Sequence, residues 1–460
     1  MLTGGRLFVP SRATAPLTPP WPCHRLSQNK QAIVRSPCAM NTPTIFDSAT
    51  VGGQSLKNRL VMPPLTRSRA GDLGVPTDLM EVYYRQRSGA GLVIAEGTVI
   101  SPQGSAYPRV PGLYSKEQVH AWRRITSAVH EQGALMYAQL WHVGRQSHST
   151  IQPDGLPPWA PSAIPIVNYQ YRGPSGRIPY ETPRELTRTR IRRIVGDYAA
   201  AAENAVKAGF DGVEVHAANG YLIDQFLNSG SNSRSDEYGG PIENRLRLLH
   251  EVLEAMSREI PRQRIGVRLS PSSSWMDVID PDKEELYSSV IRSLSGTGLA
   301  YLHLVEPEIA GSTTVAAARD AIPTRKLSAL FDGPVIVTGG HDLDSANALM
   351  ARGEATLVGF GRLYMANPDL AERFRVGAAV RQPVTKGFYS GGFEGYTDYP
   401  TLEDETRWAR LQSLLEGGHA DAAGLHEDMA ARSITELVRA GDYYPFTQLG
   451  KLLQPAAVAR

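Results

Sequence analysis

The chain has 460 residues, 42% of them hydrophobic and 20% charged, and a formal net charge of +2. Such a chain can bury a large core, which excludes an intrinsically disordered protein; the balanced charge gives no basic stripe for nucleic acid, and no run of about 18 apolar residues offers a membrane span. The two cysteines, Cys23 and Cys38, both precede the first globular-looking segment, so the body has no disulfide, cysteine-held metal or cysteine-ligated iron–sulfur cluster.

The first 46 residues carry Arg6, Arg12, Arg25, Lys30 and Arg35 but no acidic residue, are rich in Pro and Ser, and show no core periodicity. Residues 1–43 are therefore expected to form a disordered extension. One reading is an organelle transit peptide, which would be basic and acid-poor. The preferred reading is an upstream start, with Met40 the true beginning and a cytoplasmic protein, because no amphipathic arginine helix can be drawn here. Next, Thr44–Gln54 with Gly52-Gly53 predicts a small hairpin.

Short β-branched runs then alternate with helical stretches. The predicted strands are Arg59–Leu65, Gly91–Val99, Ala134–Trp141, Gly212–His216, Ile265–Ser270, Ala300–Val305, Pro334–Thr338 and Thr356–Phe360. Several are nearly continuous apolar runs, as in strands covered on both faces. The predicted helices are Thr77–Ser88, Ser115–Gln132, Ile191–Ala208, Ile242–Arg258, Lys283–Leu294, a short one near Arg325–Phe331, Asp344–Arg352 and Asn367–Phe374. Ser115 with Gln118 three residues on reads as a capping box, and Gly209 as a helix stop.

Eight β–α units in series predict a (β/α)₈ TIM barrel over residues 44–404, its floor plugged by the hairpin. A doubly wound sheet is disfavoured, because no Gly-x-Gly-x-x-Gly turn follows the first strand. Residues 145–190 are too long for a simple connection and should fold as a lid after strand three. Residues 405–460 form a C-terminal extension with a capped helix at Ser433–Arg439, of unassigned role. Monomer and homodimer are both open.

Barrel chemistry gathers at the carboxyl ends of the strands. Those ends supply Pro64, Leu65 and Thr66, then Gln139 and Trp141, then His216, Asn219 and Tyr221, then Arg268. A donor pair beside a phenol suits a carbonyl that is polarised while a neighbouring carbon takes a proton. Gly339-Gly340, Gly359, Gly361 and Arg362 in the last two loops make a phosphate cradle of bare N–H groups and a cation. A Schiff-base aldolase or phosphosugar enzyme would share that cradle but needs a strand-end lysine, and none is present. A metal-dependent hydrolase would need acidic partners near His142 and His148; none is close in sequence, and His142 reads as a pocket or structural histidine.

With these residues in view, the chain resembles the old yellow enzyme family of flavin-dependent ene-reductases from about residue 44 to residue 404. The resemblance rests on Pro64-Leu65-Thr66-Arg67, Gln139–Arg145, His216–Tyr221, Arg234–Gly240, Arg268–Pro271, Gly359–Arg362 and Tyr396–Pro400. It implies non-covalent FMN over the barrel mouth and NAD(P)H as co-substrate. Gln139 would meet the flavin pyrimidine edge, Arg268 its N1 side and Thr66 its O4 oxygen. Gly97, Gly340, Gly361 and Arg362 would hold ring and phosphate, with Phe388-Tyr389 on the C-terminal side. Trp141, Tyr107 and Tyr389 would shape the substrate pocket. It further implies hydride transfer from flavin N5 to the β-carbon of an enone or nitro compound, with Tyr221 protonating the α-carbon. Thr66 and the cysteine-free core argue against the family's cysteine-bearing branch and against its longer, cluster-containing type. A non-catalytic flavin-binding protein is the alternative from another class.

Overall fold

The computed structural model describes residues 43–173, 176–310, 313–314, 321–385, 387–389 and 391–406. The extensions expected over 1–43 and 405–460 fall almost wholly outside this set. Eight parallel strands close into a barrel: β3 (Leu60–Met62), β4 (Leu92–Val99), β5 (Leu135–Trp141), β10 (Gly212–His216), β11 (Ile265–Leu269), β12 (Tyr301–Val305), β15 (Val335–Thr338) and β16 (Leu357–Gly359), which pairs back onto β3. Helices α1 (Asp78–Gln86), α2 (Lys116–His130), α3 (Arg188–Lys207), α5 (Ile242–Arg245), α6 (Arg247–Met256), α7 (Lys283–Leu294), α8 (Thr324–Ser328), α9 (Leu343–Ala351) and α11 (Leu370–Val376) separate them or follow the last. No described helix is long and apolar enough to cross a membrane.

The (β/α)₈ expectation holds, and the boundary differences have local causes. Ser115 and Gln118 form the reciprocal capping box that starts α2. Helix α3 begins at Arg188 rather than Ile191 because the Thr187 hydroxyl caps it. The span expected as one helix over Ile242–Arg258 divides at Leu246 into α5 and α6. Two short helices at strand ends went unread, α4 (Leu222–Leu227) and α10 (Gly361–Ala366). The first is almost wholly buried and the second half-buried, and at six residues each neither is long enough to show an amphipathic period.

The hairpin β1 (Ala49–Val51) and β2 (Gln54–Leu56) closes the barrel floor. Val51 and Leu56 pack with Val61, Ile94, Tyr137 and Tyr301, and the Tyr137 hydroxyl donates to Gln54 Oε1 at 2.9 Å. Gly52, at φ +56°, has no space for a side chain: a Cβ there would lie 1.9 Å from the Gln263 carbonyl oxygen. Gly52→Ala should therefore cost about 2 kcal/mol or more, through backbone strain and a clash on rigid main chain. Chemical denaturation against the parent protein checks this.

The long segment after β5 is built from the parallel pair β6 (Trp159–Ala160) with β9 (Arg184–Glu185), and the antiparallel hairpin β7 (Gln170–Gly173) with β8 (Gly176–Pro179). Its base is pinned to the loop after β11. Arg145 Nη2 donates to the carbonyls of Met276 (3.1 Å) and Asp277 (2.7 Å), both in left-handed backbone. The Asp277 carboxylate accepts in turn from the N–H groups of Val167 (2.7 Å) and Asn168 (3.0 Å). A further two-stranded piece, β13 (Ile309–Ala310) with β14 (Thr313–Thr314), follows β12.

Candidate active site

A cavity of about 1190 Å³ opens at the carboxyl ends of the strands. Pro64, Leu65 and Thr66 border it after β3, Gln139 and Trp141 from β5, and His216, Asn219 and Tyr221 after β10. Arg268 enters from β11, and Thr338, Gly339, Gly340, Gly361 and Arg362 complete the wall after β15 and β16. Tyr107, Phe388 and Tyr389 close it from above. Gly97 and Gly359 are not part of this wall. A Cβ on Gly97 would meet the Trp141 indole at 2.7 Å, and one on Gly359 would lie 2.1 Å from the Thr338 hydroxyl. Each glycine makes room for a neighbour that does border the cavity.

The segment carrying the trio is held by its main chain, which leaves the side chains to face the cavity. Asn219 lies at φ +57°, a conformation asparagine tolerates better than most residues. Its N–H donates to Ser270 Oγ at 2.7 Å, and its carbonyl accepts from Gln146 Nε2 at 2.7 Å. The next N–H, of Gly220, donates to Asp224 Oδ2 at 2.8 Å. Burial pushes the Asp224 carboxyl up to about 6, and the Tyr287 hydroxyl donates to its other oxygen at 2.7 Å. Gln146, Asp224 and Ser270 were not singled out from sequence, since each acts on backbone rather than on a reacting group.

Around the trio the rings form a tight aromatic box. The His216 imidazole lies parallel to Trp141 (6.1 Å, 7°), and Tyr221 meets both edge-on, at 4.9 Å from His216 and 4.7 Å from Trp141. Burial pushes the Tyr221 phenol well above its ordinary pKa, helped by Tyr107, to which it is hydrogen-bonded. Burial likewise drives His216 well below its usual value, reinforced by the charge of Arg268. Both rings are therefore neutral in ordinary buffers. His142, by contrast, is absent from the wall; its Nδ1 accepts from the Gly144 N–H at 3.1 Å, a structural role.

Beneath the cavity Gln139 heads a polar chain whose next members, Glu214 and His303, were not picked out from sequence. Gln139 Nε2 donates to Glu214 Oε1 at 2.8 Å, and His303 Nδ1 donates to Glu214 Oε2 at 2.7 Å. His303 Nε2 is 2.8 Å from the Thr338 hydroxyl. Burial pushes the Glu214 carboxyl up, but His303, Arg268 and Gln139 outweigh it and hold it below its ordinary value. Burial lowers His303 despite the neighbouring carboxylate. Glu214 is thus ionised and His303 neutral. A Glu within a valine run, in a strand covered on both faces, was the available signal.

The upper wall is fixed by three buried arginines that bond main-chain carbonyls. Arg67 Nε and Arg69 Nη1 donate to the Phe388 carbonyl at 3.0 and 2.9 Å. Arg69 Nη2 reaches Gly387 at 2.7 Å, and Arg87 Nη2 reaches Tyr396 at 2.9 Å. Tyr396 stacks on Tyr83 at 4.1 Å. This holds the glycine-rich stretch so that Phe388 and Tyr389 overhang the cavity.

The chain's own chemistry suits a flavin mononucleotide. His216 Nδ1 and Arg268 Nε are buried without a hydrogen-bond partner among the described residues. Gly340, at φ +68° with open space where a Cβ would stand, faces the cavity together with Gly361 and Arg362. A large concave site with a cation at one end and amide and guanidinium groups at the other matches a phosphate joined to a polar ring.

A closed barrel with such a site defines a flavin-nucleotide oxidoreductase. The chain belongs to the family described as NADH:flavin oxidoreductase / NADH oxidase, which it matches over residues 44–380, and so to the old yellow enzymes. It is 42% identical over 360 residues to 12-oxophytodienoate reductase 1 of Oryza sativa subsp. japonica, covering 77% of this chain and 92% of that protein. Morphinone reductase in complex with tetrahydroNAD superimposes with a TM-score of 0.73 at 42% identity, over 78% of this chain and 98% of the other. An old yellow enzyme homologue from Zymomonas mobilis gives a TM-score of 0.75 at 40% identity, over 78% of this chain and 100% of its own.

Proposed function

We propose that the protein is an ene-reductase that takes hydride from NAD(P)H and reduces the activated C=C bond of α,β-unsaturated carbonyl or nitro compounds. FMN, when bound, supplies the two-electron carrier that serves donor and acceptor in turn. Thr66, Gln139 and Arg268 would hold its ring, and Gly340, Gly361 and Arg362 its phosphate.

Side chains of the chain do the rest. His216 and Asn219 donate to the substrate oxygen, on which negative charge builds as the β-carbon gains hydride. Tyr221 gives its phenolic proton to the α-carbon, and its raised pKa keeps that proton in place until the carbon becomes basic. Trp141 and Tyr107 shape the space over the ring and exclude water. The observation that carries this reading is the shared wall on which Gln139, Arg268 and the His216–Asn219–Tyr221 trio meet. Incubating the purified protein with FMN, NADPH and 2-cyclohexenone tests it: saturated ketone is expected, and its absence would remove the proposal.

In this reading NADPH is the better donor, and the charge of the cavity wall is what supports it. The cavity wall contains Arg67, Arg172, Arg177, Arg268 and Arg362 but, among the described residues, no carboxylate. Arg172 and Arg177 stand directly opposite each other in the β7–β8 hairpin, both exposed and without an ion-pair partner among the described residues. Like charges in that register repel, and an anionic group of a ligand leaving the cavity would relieve them. Replacing both by Gln should raise the KM for NADPH about tenfold while leaving that for NADH within about twofold. Equal effects on both nucleotides would show that the 2′-phosphate is not what the hairpin reads.

A further inference from the structure

Several buried charges take no part in the mechanism above, and Glu214 is the one bonded to a predicted flavin contact, Gln139. Glu214 sits in the barrel interior, fully buried, on the strand that ends in His216. An ionised carboxylate is strongly disfavoured in such a place unless hydrogen bonds and opposite charge offset it. Its partners lead in two directions. Toward β5 it meets Gln139; toward β12 it meets His303, which continues to Thr338 at the start of the glycine pair after β15. A carboxylate only accepts hydrogen bonds, so the Gln139 amide must turn its nitrogen to Glu214 and keep its carbonyl oxygen for other contacts. Arg268 is one strand further on, its backbone level with His216. It is buried, its Nε has no hydrogen-bond partner among the described residues, and the negative charge of Glu214 works against the depression of its pKa.

We propose that Glu214 is a positioning residue for the flavin: it fixes the orientation of Gln139 and partly balances Arg268, and so sets both FMN affinity and the flavin's reduction potential. The proposal rests on the FMN reading above, which uptake of FMN by the unmodified protein tests separately. With Glu214 present, the ring meets one defined amide and a guanidinium whose charge is partly cancelled. Without the carboxylate, Gln139 can turn over and Arg268 acts at full strength. The reduced, anionic ring would gain from that change.

Two variants separate the two effects. FMN dissociation constants come from quenching of flavin fluorescence, and midpoint potentials from equilibration with reference dyes. Glu214→Gln removes the charge, and its potential should move in the positive direction by at least a tenfold change in the oxidised-to-reduced ratio, about 30 mV for a two-electron couple. Glu214→Asp keeps the charge but shortens its reach to Gln139. Its FMN dissociation constant should rise about tenfold while its potential stays with the parent's. An unchanged or more negative potential in folded Glu214→Gln overturns the proposal, as does a shift of equal size in Glu214→Asp. Should Glu214→Gln fail to fold, Glu214→Asp decides alone: weaker FMN binding at the parent's potential supports the assignment, and unaltered binding overturns it. Failure of both variants to fold would make Glu214 a purely structural residue and end the proposal.

Discussion

Tyr221→Phe is expected to bind FMN and oxidise NADPH at the parent rate, yet to reduce 2-cyclohexenone ~10²–10⁴-fold more slowly, the range for loss of a general acid. The ring would remain packed against Trp141 and His216, since only the hydroxyl and its bond to Tyr107 disappear. The effect should therefore be confined to the step that consumes the alkene. Stopped-flow measurement of the two half-reactions reads this directly: enone reduction at the parent rate would take the proton-donor role from Tyr221. The same environment fixes the pH dependence. Burial raises Tyr221, so it stays protonated up to and beyond the ordinary phenol value of about 10; burial lowers His216, so it stays neutral down past the ordinary value of about 6.5. Between those limits the alkene half-reaction should be flat, and a step near neutrality would mean that another group titrates in the rate-determining event.

Removing the oxygen-binding pair should slow the same step by a similar amount and, unlike Tyr221→Phe, weaken substrate binding as well. His216→Ala with Asn219→Ala takes away both donors, and loss of one such donor typically costs ~10²–10³ in rate. Substrate affinity should fall in parallel, because the same groups hold the ground-state oxygen, and NADPH oxidation should fall less. Ala tolerates the left-handed backbone of Asn219 (φ +57°) less well than Asn, but the main chain there is fixed by Ser270, Gln146 and Asp224, which resists a rearrangement of the loop. A double variant that retains enone turnover within about tenfold would place the oxygen elsewhere in the cavity.

The barrel was legible because each strand is an apolar run followed by a helical period, and strand and helix periodicities do not mimic each other. The strand-end residues were legible for a related reason: a polar group where an apolar run stops has no core to enter. Glu214 and His303 escaped notice because they lie inside their runs, where a single polar letter reads as noise; only the structure pairs them across β10 and β12. Helices α4 and α10 were missed because six residues are too few to show a helical period. The ordering of Phe388 and Tyr389 could not be read either. It depends on Arg67, Arg69 and Arg87, more than 300 residues earlier, donating to main-chain carbonyls. Main-chain acceptors leave no mark in sequence. Gly97 shows the complementary difficulty: its position is dictated by the Trp141 ring behind which it lies.

The most direct measurement is an anaerobic spectral titration of the purified, FMN-loaded protein. Here NADPH should abolish the yellow absorbance, and one equivalent of enone should restore it while leaving saturated ketone behind. A chain that takes up no flavin, or whose bleached colour an enone leaves untouched, would contradict the reading of this barrel mouth as the place where both partners react.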